Sequence, residues 1–292
     1  MIKNHFLSFI LFCCAVTFGY GQTDDFTDGD FTANPVWSGD TANFSILTNG
    51  TLPNGTATTD GSFLGSNAST GSIAITTPST EVSEWEFSLG SPNFNPSSGN
   101  SFGVVLMSNT AVSGNITGSS WNGYYVKIGV NGSADRIELW RKQGGSFGTK
   151  VGDFPGSPVL ASGALRNGLN IRITRTALGQ FELFYSTGFT YASTPATSAG
   201  TLTDNNVTTS NFFGIYSKFA NTDASRRVYI DNIVLGIVTP PCTEAVDFAN
   251  IQFPASTQTI TVSANFNVFS QANEIGVTPG AGQGANIEAW IG

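Results

Sequence analysis

The chain has 292 residues, 34 of them Gly and 23 Phe, with only 11% charged and a formal net charge of −8. Its one histidine, His5, and two of its three cysteines, Cys13 and Cys14, fall in the N-terminal run of residues 1–21, which leaves Cys242 alone outside it. A mature chain without that run has no imidazole for Ser-His-Asp or Cys-His catalysis, no His or thiolate metal cage and no internal disulfide. The basic residues are scattered from Lys127 to Arg227, so neither nucleic acid nor an anionic membrane is expected as a partner.

Lys3, the apolar run from Phe6 to Phe18 and the small residues Gly19 and Gly21 follow the order of a secretory signal. Residues 1–21 are therefore expected to leave, with cleavage before Gln22. The run is too short to span a bilayer and no later segment is longer or more apolar, so membrane insertion is not expected. The mature chain is expected to be secreted, extracellular or at the cell surface.

Along residues 24–236, within an expected domain of residues 22–237, apolar and polar residues alternate with period 2, and no apolar stripe of helical period reaches helical length. In Ser83-Trp85-Phe87-Leu89 the apolar side chains face one way and Glu84, Glu86 and Ser88 the other. Tyr124 to Ile128 reads as a strand, Asn131-Gly132 as a tight turn, and Arg136 to Trp140 as the returning strand. Further strands are expected at 171–173, 181–185, 212–216 and 228–235. A domain of about 210 residues built this way can bury a core between two antiparallel sheets without disulfides. Residues 238–242, ending Pro240-Pro241-Cys242, read as a stiff linker. Strand-like pieces follow at 248–253 and 260–269, then a glycine-rich turn around Gly280 to Gly284 and a last piece from Ile287 to Gly292. So short a tail buries little core, so residues 243–292 are expected to begin a second β-sandwich, with further domains of the same chain as partners.

Asn122-Gly123-Tyr124-Tyr125-Val126-Lys127-Ile128-Gly129, followed by Ala134-Asp135-Arg136-Ile137-Glu138-Leu139-Trp140-Arg141, resembles the central hairpin of a concanavalin A-like, laminin-G-type jelly roll. Ile171 to Arg175, Gly179 to Phe184, Asn211 to Ile215 and the closing Val228 to Ile233 are similar to later strands of that group, in its order. The opening Asp25 to Phe31 with Trp37 completes the likeness. The resemblance implies an all-β, two-sheet antiparallel jelly-roll sandwich within a larger secreted bacterial protein. Because the superfamily holds lectins, adhesive modules and glycosidases, it implies fold more firmly than activity.

Glycosidases of this superfamily carry two or three acids alternating along one strand, and Glu84 with Glu86 is the one such pair here. The pattern departs at Ser88 and Gly90, where a further acid would stand, so the pair equally suits the solvated face of an amphipathic strand. Trp121, Tyr125 and Trp140 are candidates for stacking against sugar rings, since each lies near polar neighbours. Asp231 shares one parity with Tyr229, Ile233 and Leu235, which would carry a carboxylate into an apolar layer unless a partner compensates it. The resemblance offers a structural calcium between the last strand and the N-terminal acids Asp25, Asp28 and Asp30, a set of hard oxygen ligands. Pairing of Asp231 with Arg226, and a plain turn at Asp28-Gly29-Asp30, are the alternatives. Three functions stay open: a non-catalytic binding or adhesive module for a glycan or cell-surface polysaccharide, a glycosidase acting through Glu84 and Glu86, and a structural spacer.

Overall fold

A computed structural model of the protein describes residues 20–48, 62–66, 71–79, 82–91, 95, 97, 99–128, 136–144, 148–160, 163–189, 194–220, 227–236, 248–253 and 269–273. In chain order the first strands are β1 (Tyr20–Asp24), β2 (Ser38–Gly39), β3 (Phe44–Thr48), β4 (Ser62–Ser66), β5 (Gly71–Pro78) and β6 (Glu84–Gly90). Then come β7 (Ser101–Ser108), β8 (Gly123–Ile128), β9 (Glu138–Lys142), β10 (Thr149–Asp153) and β11 (Leu169–Arg175). The last are β12 (Gln180–Thr187), β13 (Thr197–Thr203), β14 (Phe212–Phe219), β15 (Tyr229–Gly236), β16 (Phe248–Phe253) and β17 (Phe269–Asn273). Helical structure among the described residues is confined to single 3-10 turns at Thr41–Asn43 and Ala164–Asn167.

Strands β1 to β15 lie in one unit, Gly19–Val238, and the β16–β17 hairpin in a second. In the first unit an eight-stranded sheet runs β13-β12-β11-β6-β15-β4-β3, with β1 also on β15, and a seven-stranded sheet runs β10-β9-β8-β7-β14-β5-β2. All pairings are antiparallel. This unit is thus the two-sheet antiparallel jelly-roll sandwich that the sequence implies. Two-residue alternation sends Trp85, Phe87 and Leu89 of β6 into the space between the sheets, where they meet Val104 of β7, Val126 of β8 and Phe213 of β14. Every one of these is fully buried. Burying each such large side chain contributes about 1.5–3 kcal/mol, which is why a core of this size holds without disulfides.

Two departures from simple alternation matter for the site. Every residue of β7 is buried, because its outward side is covered as well as its inward one. In β15 the pairing with β6 slips between Asp231 and Val234, and Asn232 adopts a φ of 53°. This bulge reverses the parity of the strand. Ile230 enters the core before it, and Ile233 and Leu235 after it. The expectation that Asp231 shares a face with Ile233 and Leu235 is therefore corrected. Asp231 stands on the outer face with Tyr229, opposite Ser88. Residues 1–19 of the expected signal segment, with Cys13 and Cys14, the Asn131-Gly132 turn, Arg226 and the linker with Cys242 lie outside the described residues, while Tyr20 and Gly21, the last two of that segment, belong to β1. Among the described residues no helix is long and apolar enough to cross a membrane.

Candidate functional site

Residues that alternate with the core on the seven-stranded sheet form a second, separate cluster on its outer face. Val105, Tyr125, Tyr216 and Ala74 come from four neighbouring strands. The connection between β7 and β8 folds back over them and adds Val112, Ile116 and Trp121. It is pinned at several points: Asp40 accepts hydrogen bonds from the amides of Gly114 at 2.5 Å and Ala74 at 2.9 Å, and Trp121 Nε1 donates to the Ile116 carbonyl at 2.8 Å.

This folding-back corrects the expectation of open rings at Trp121 and Tyr125. They are only 2% and 1% exposed, so neither presents a ring face to a sugar. Trp140 differs. It pairs with Tyr125 on one side and Lys150 on the other, packs on the edge of the cluster and stays partly open. Its ring stacks on Tyr125 at 6.1 Å with an interplanar angle of 22°, and its Nε1 donates to Glu138 Oε2 at 2.8 Å. The Lys127 ammonium lies 5.1 Å from its ring centroid. Trp140 is thus a ring fixed in place by a stacking partner, a hydrogen bond and a neighbouring cation.

The charges around it are arranged in register. Glu138 pairs with Lys127, which pairs with Gly103, which pairs with Tyr216. Glu138 is 2% exposed, and its other oxygen takes the Lys150 ammonium at 2.5 Å; Lys150 also binds Asp153 at 2.8 Å. Burial, then the Glu138 charge, pushes the Tyr125 hydroxyl well above its ordinary range. Burial does the same for Tyr216, with Tyr125 and Glu138 adding to it. Both phenols therefore remain neutral. Tyr216, Glu138, Lys127 and Lys150 were not singled out from the sequence; Tyr216 carried a weak signal, as the outward residue of a strand whose Phe213 and Ile215 point inward.

The structure places the other candidates elsewhere. Glu84 and Glu86 do lie on one face of β6, but Arg172 of β11 sits between them: its Nε bonds to Glu84 and lies 3.5 Å from Glu86. The guanidinium also rests on the Phe184 ring, 4.9 Å from its centroid. The space a glycosidic bond would need between the carboxylates is thus filled by a cation. Asp231 is fully buried and accepts the Asn232 amide at 2.7 Å. Asp25 and Asp30 each accept from the amide and hydroxyl two residues on, Thr27 and Thr32, and Asp28 accepts the Asp30 amide at 2.9 Å. These are turn-forming bonds. Among the described residues no group of three or more His, Cys, Asp or Glu side chains converges, these four acids included.

No family model matches the chain. No curated protein matches it either. Among solved structures it is similar to a GH43 glycoside hydrolase engineered for endo-xylanase and exo-arabinofuranosidase activity, with a TM-score of 0.47, 16% identity, and coverage of 77% of this chain and 42% of that one. It is also similar to a legume lectin-like domain from Entamoeba histolytica, with a TM-score of 0.42, 10% identity and coverage of 68% and 91%. The carbohydrate-binding module CBM66 from Bacillus subtilis gives a TM-score of 0.39, 9% identity and coverage of 58% and 84%. The chain spans less than half the length of the hydrolase. Likenesses of this degree assign no ligand and no chemistry.

Proposed function

We propose that this chain is a secreted, non-catalytic carbohydrate-binding module that takes a glycan or cell-surface polysaccharide on the outer face of its seven-stranded sheet. Residues 22–237 form the binding module, and residues 243–292 belong to a separate β-unit. The observation that carries the reading is Trp140, whose partly exposed ring is oriented by Tyr125 and Glu138. A rigid aromatic plane loses little entropy on binding, which suits the apolar face of a sugar ring. Binding without turnover is favoured by Arg172 between Glu84 and Glu86.

Trp140→Ala tests the reading. Loss of a stacking ring weakens binding by about 1–3 kcal/mol, roughly 5- to 150-fold in Kd, as aromatic platforms do elsewhere. Because Trp140 lies at the edge of its cluster, the melting temperature should move by no more than a few degrees. Unchanged affinity across a glycan array would refute the site. Reducing-sugar release that disappears in Glu84→Gln would instead establish the glycosidase.

A further inference from the structure

A cavity of about 450 Å³ lies where β1 of the eight-stranded sheet comes beside β5 of the seven-stranded one. Gln22 and Thr23 of β1, residues 34–36 of the β1–β2 connection, and Thr77 and Pro78 of β5 line it. Gln22 Nε2 donates to Thr77 Oγ1 at 3.1 Å, which ties the two sheets together at this point. The 34–36 wall is anchored by the next residue, Trp37, whose Nε1 donates to Asp24 at 2.8 Å and whose ring packs on Phe26 and Phe213. Pro35, Val36 and Pro78 give the cavity an apolar surface, and Val36 is 55% exposed. An exposed apolar side chain set in a shaped recess is a feature of binding surfaces.

The strand beside the cavity has an open edge. Successive strand residues point to opposite faces, yet Gln22 and Thr23 both border the cavity, so it is the edge of β1 that faces it. Among the described residues β1 pairs only with β15, on its other edge. Its backbone is therefore open to one further strand. Charge then decides what that strand carries. No Lys or Arg stands between Lys3 and Lys127, and the connection that supplies Asn34, Pro35 and Val36 also holds Asp25, Asp28 and Asp30, none of them buried. Lys218 of the neighbouring β14 pairs with Ser72, near the opposite end of β5 from Pro78. The field at the cavity is thus negative and steers a cationic partner towards it.

We infer that this groove seats an extended segment of a partner protein in which Lys or Arg alternates with small apolar residues. The segment adds a strand to the open edge of β1, its apolar side chains fill the recess on Pro35, Val36 and Pro78, and its cations meet Asp25, Asp28 and Asp30. The inference stands apart from the glycan reading, since the groove is built on β1 and β5 and the glycan platform on β9. A second copy of this chain is the weaker occupant. Its edge strand β10 carries adjacent Lys150 and Val151, but Lys150 is held by Glu138 and Asp153, and Val151 packs on the core.

Calorimetric titration of the full chain with three synthetic peptides of about ten residues, alternating Lys with Val, Glu with Val and Lys with Ser, at about 50 and about 500 mM NaCl, tests this. The Lys-Val peptide should bind about tenfold or more tighter than the other two, and added salt should weaken it. Val36→Asn should cost about tenfold, and Asp28→Asn combined with Asp30→Asn a similar factor at low salt. N-methylation of every second backbone amide removes a strand's donors on one edge, so one of the two possible phases should abolish binding. Val36→Asn should leave glycan affinity unchanged, so this inference and the glycan reading fail separately. Equal binding of the three peptides overturns the inference, as does a Val36→Asn chain that binds like the native one. Dimerisation of the native chain in sedimentation equilibrium, lost in Val36→Asn, overturns it in favour of a second copy.

Discussion

Asp24 gives the most quantitative prediction. It ends β1, is 8% exposed, and its two oxygens accept the Phe26 amide at 3.1 Å and Trp37 Nε1 at 2.8 Å. Burial outweighs these hydrogen bonds and raises its pKa from 3.8 to about 6, with Asp28 and Asp25 adding to the rise. The folded state thus holds a proton that the unfolded chain has already released. Its contribution is complete below the unfolded pKa and is lost as pH climbs through the folded one. At about 1.36 kcal/mol per pH unit over roughly two units, up to about 3 kcal/mol of stability disappears between about pH 4 and about pH 7. Urea unfolding at stepped pH, for the native protein and for Asp24→Asn, isolates this from the other carboxylates. Asn keeps one acceptor and gives up the other, so it should be less stable than the native protein at low pH by about 1 kcal/mol. The difference should then shrink and reverse as pH rises. A stability difference that stays constant from pH 4 to pH 8 would refute the assignment.

Three further outcomes follow from the geometry. Asn232→Val places a β-branched residue at a φ of 53° in the β15 bulge and should cost about 2 kcal/mol in urea unfolding, whereas Asn232→Gly should cost less. Gly148→Ala sets a Cβ 2.7 Å from the Tyr125 hydroxyl, so it should destabilise by about 1–3 kcal/mol in the same assay and weaken glycan binding by tilting the ring beneath Trp140. Millimolar calcium and chelator should give the same melting temperature; a rise in calcium that Asp231→Ala abolishes would show that a cage forms after all.

Much of the sandwich is legible in the sequence because its strands carry unequal faces. β6 alternates core residues with Glu84, Glu86 and Ser88, and the start of β12 alternates Phe181 and Leu183 with Gln180 and Glu182, and alternation survives without any knowledge of neighbours. β7 escapes that logic: with the core on one side and the 109–122 connection on the other, Phe102 to Met107 is an unbroken buried run with no period to detect. β9 begins at Glu138 rather than Arg136, because Arg136 is drawn to the Ser157 carbonyl and the Ile137 amide to the Ser157 hydroxyl. Asp231 illustrates a different limit. One extra residue in a strand reverses every assignment beyond it, and nothing in Tyr229-Ile230-Asp231-Asn232-Ile233 marks the bulge except an Asn able to take a positive φ.

The site itself belongs to register rather than to any segment. Trp140 is one of three aromatic candidates with similar local surroundings, and what separates it from the others is the 109–122 connection, which carries Trp121 inward, covers Tyr125 and leaves Trp140 at the edge of the cluster. The lysines are scattered along the sequence and unremarkable there, yet four strands bring them to one face. Scattered charge in a sequence therefore excludes a contiguous basic segment but not a basic surface, because an antiparallel sheet sets residues from distant parts of the chain about 5 Å apart. The same pairing that buries Tyr125 beneath its loop leaves Trp140 open, with Lys127 resting on its ring. Burial and charge on this face are two consequences of one hydrogen-bonded ladder, so a substitution that shifts the β8–β9 register should remove the platform and the cations together.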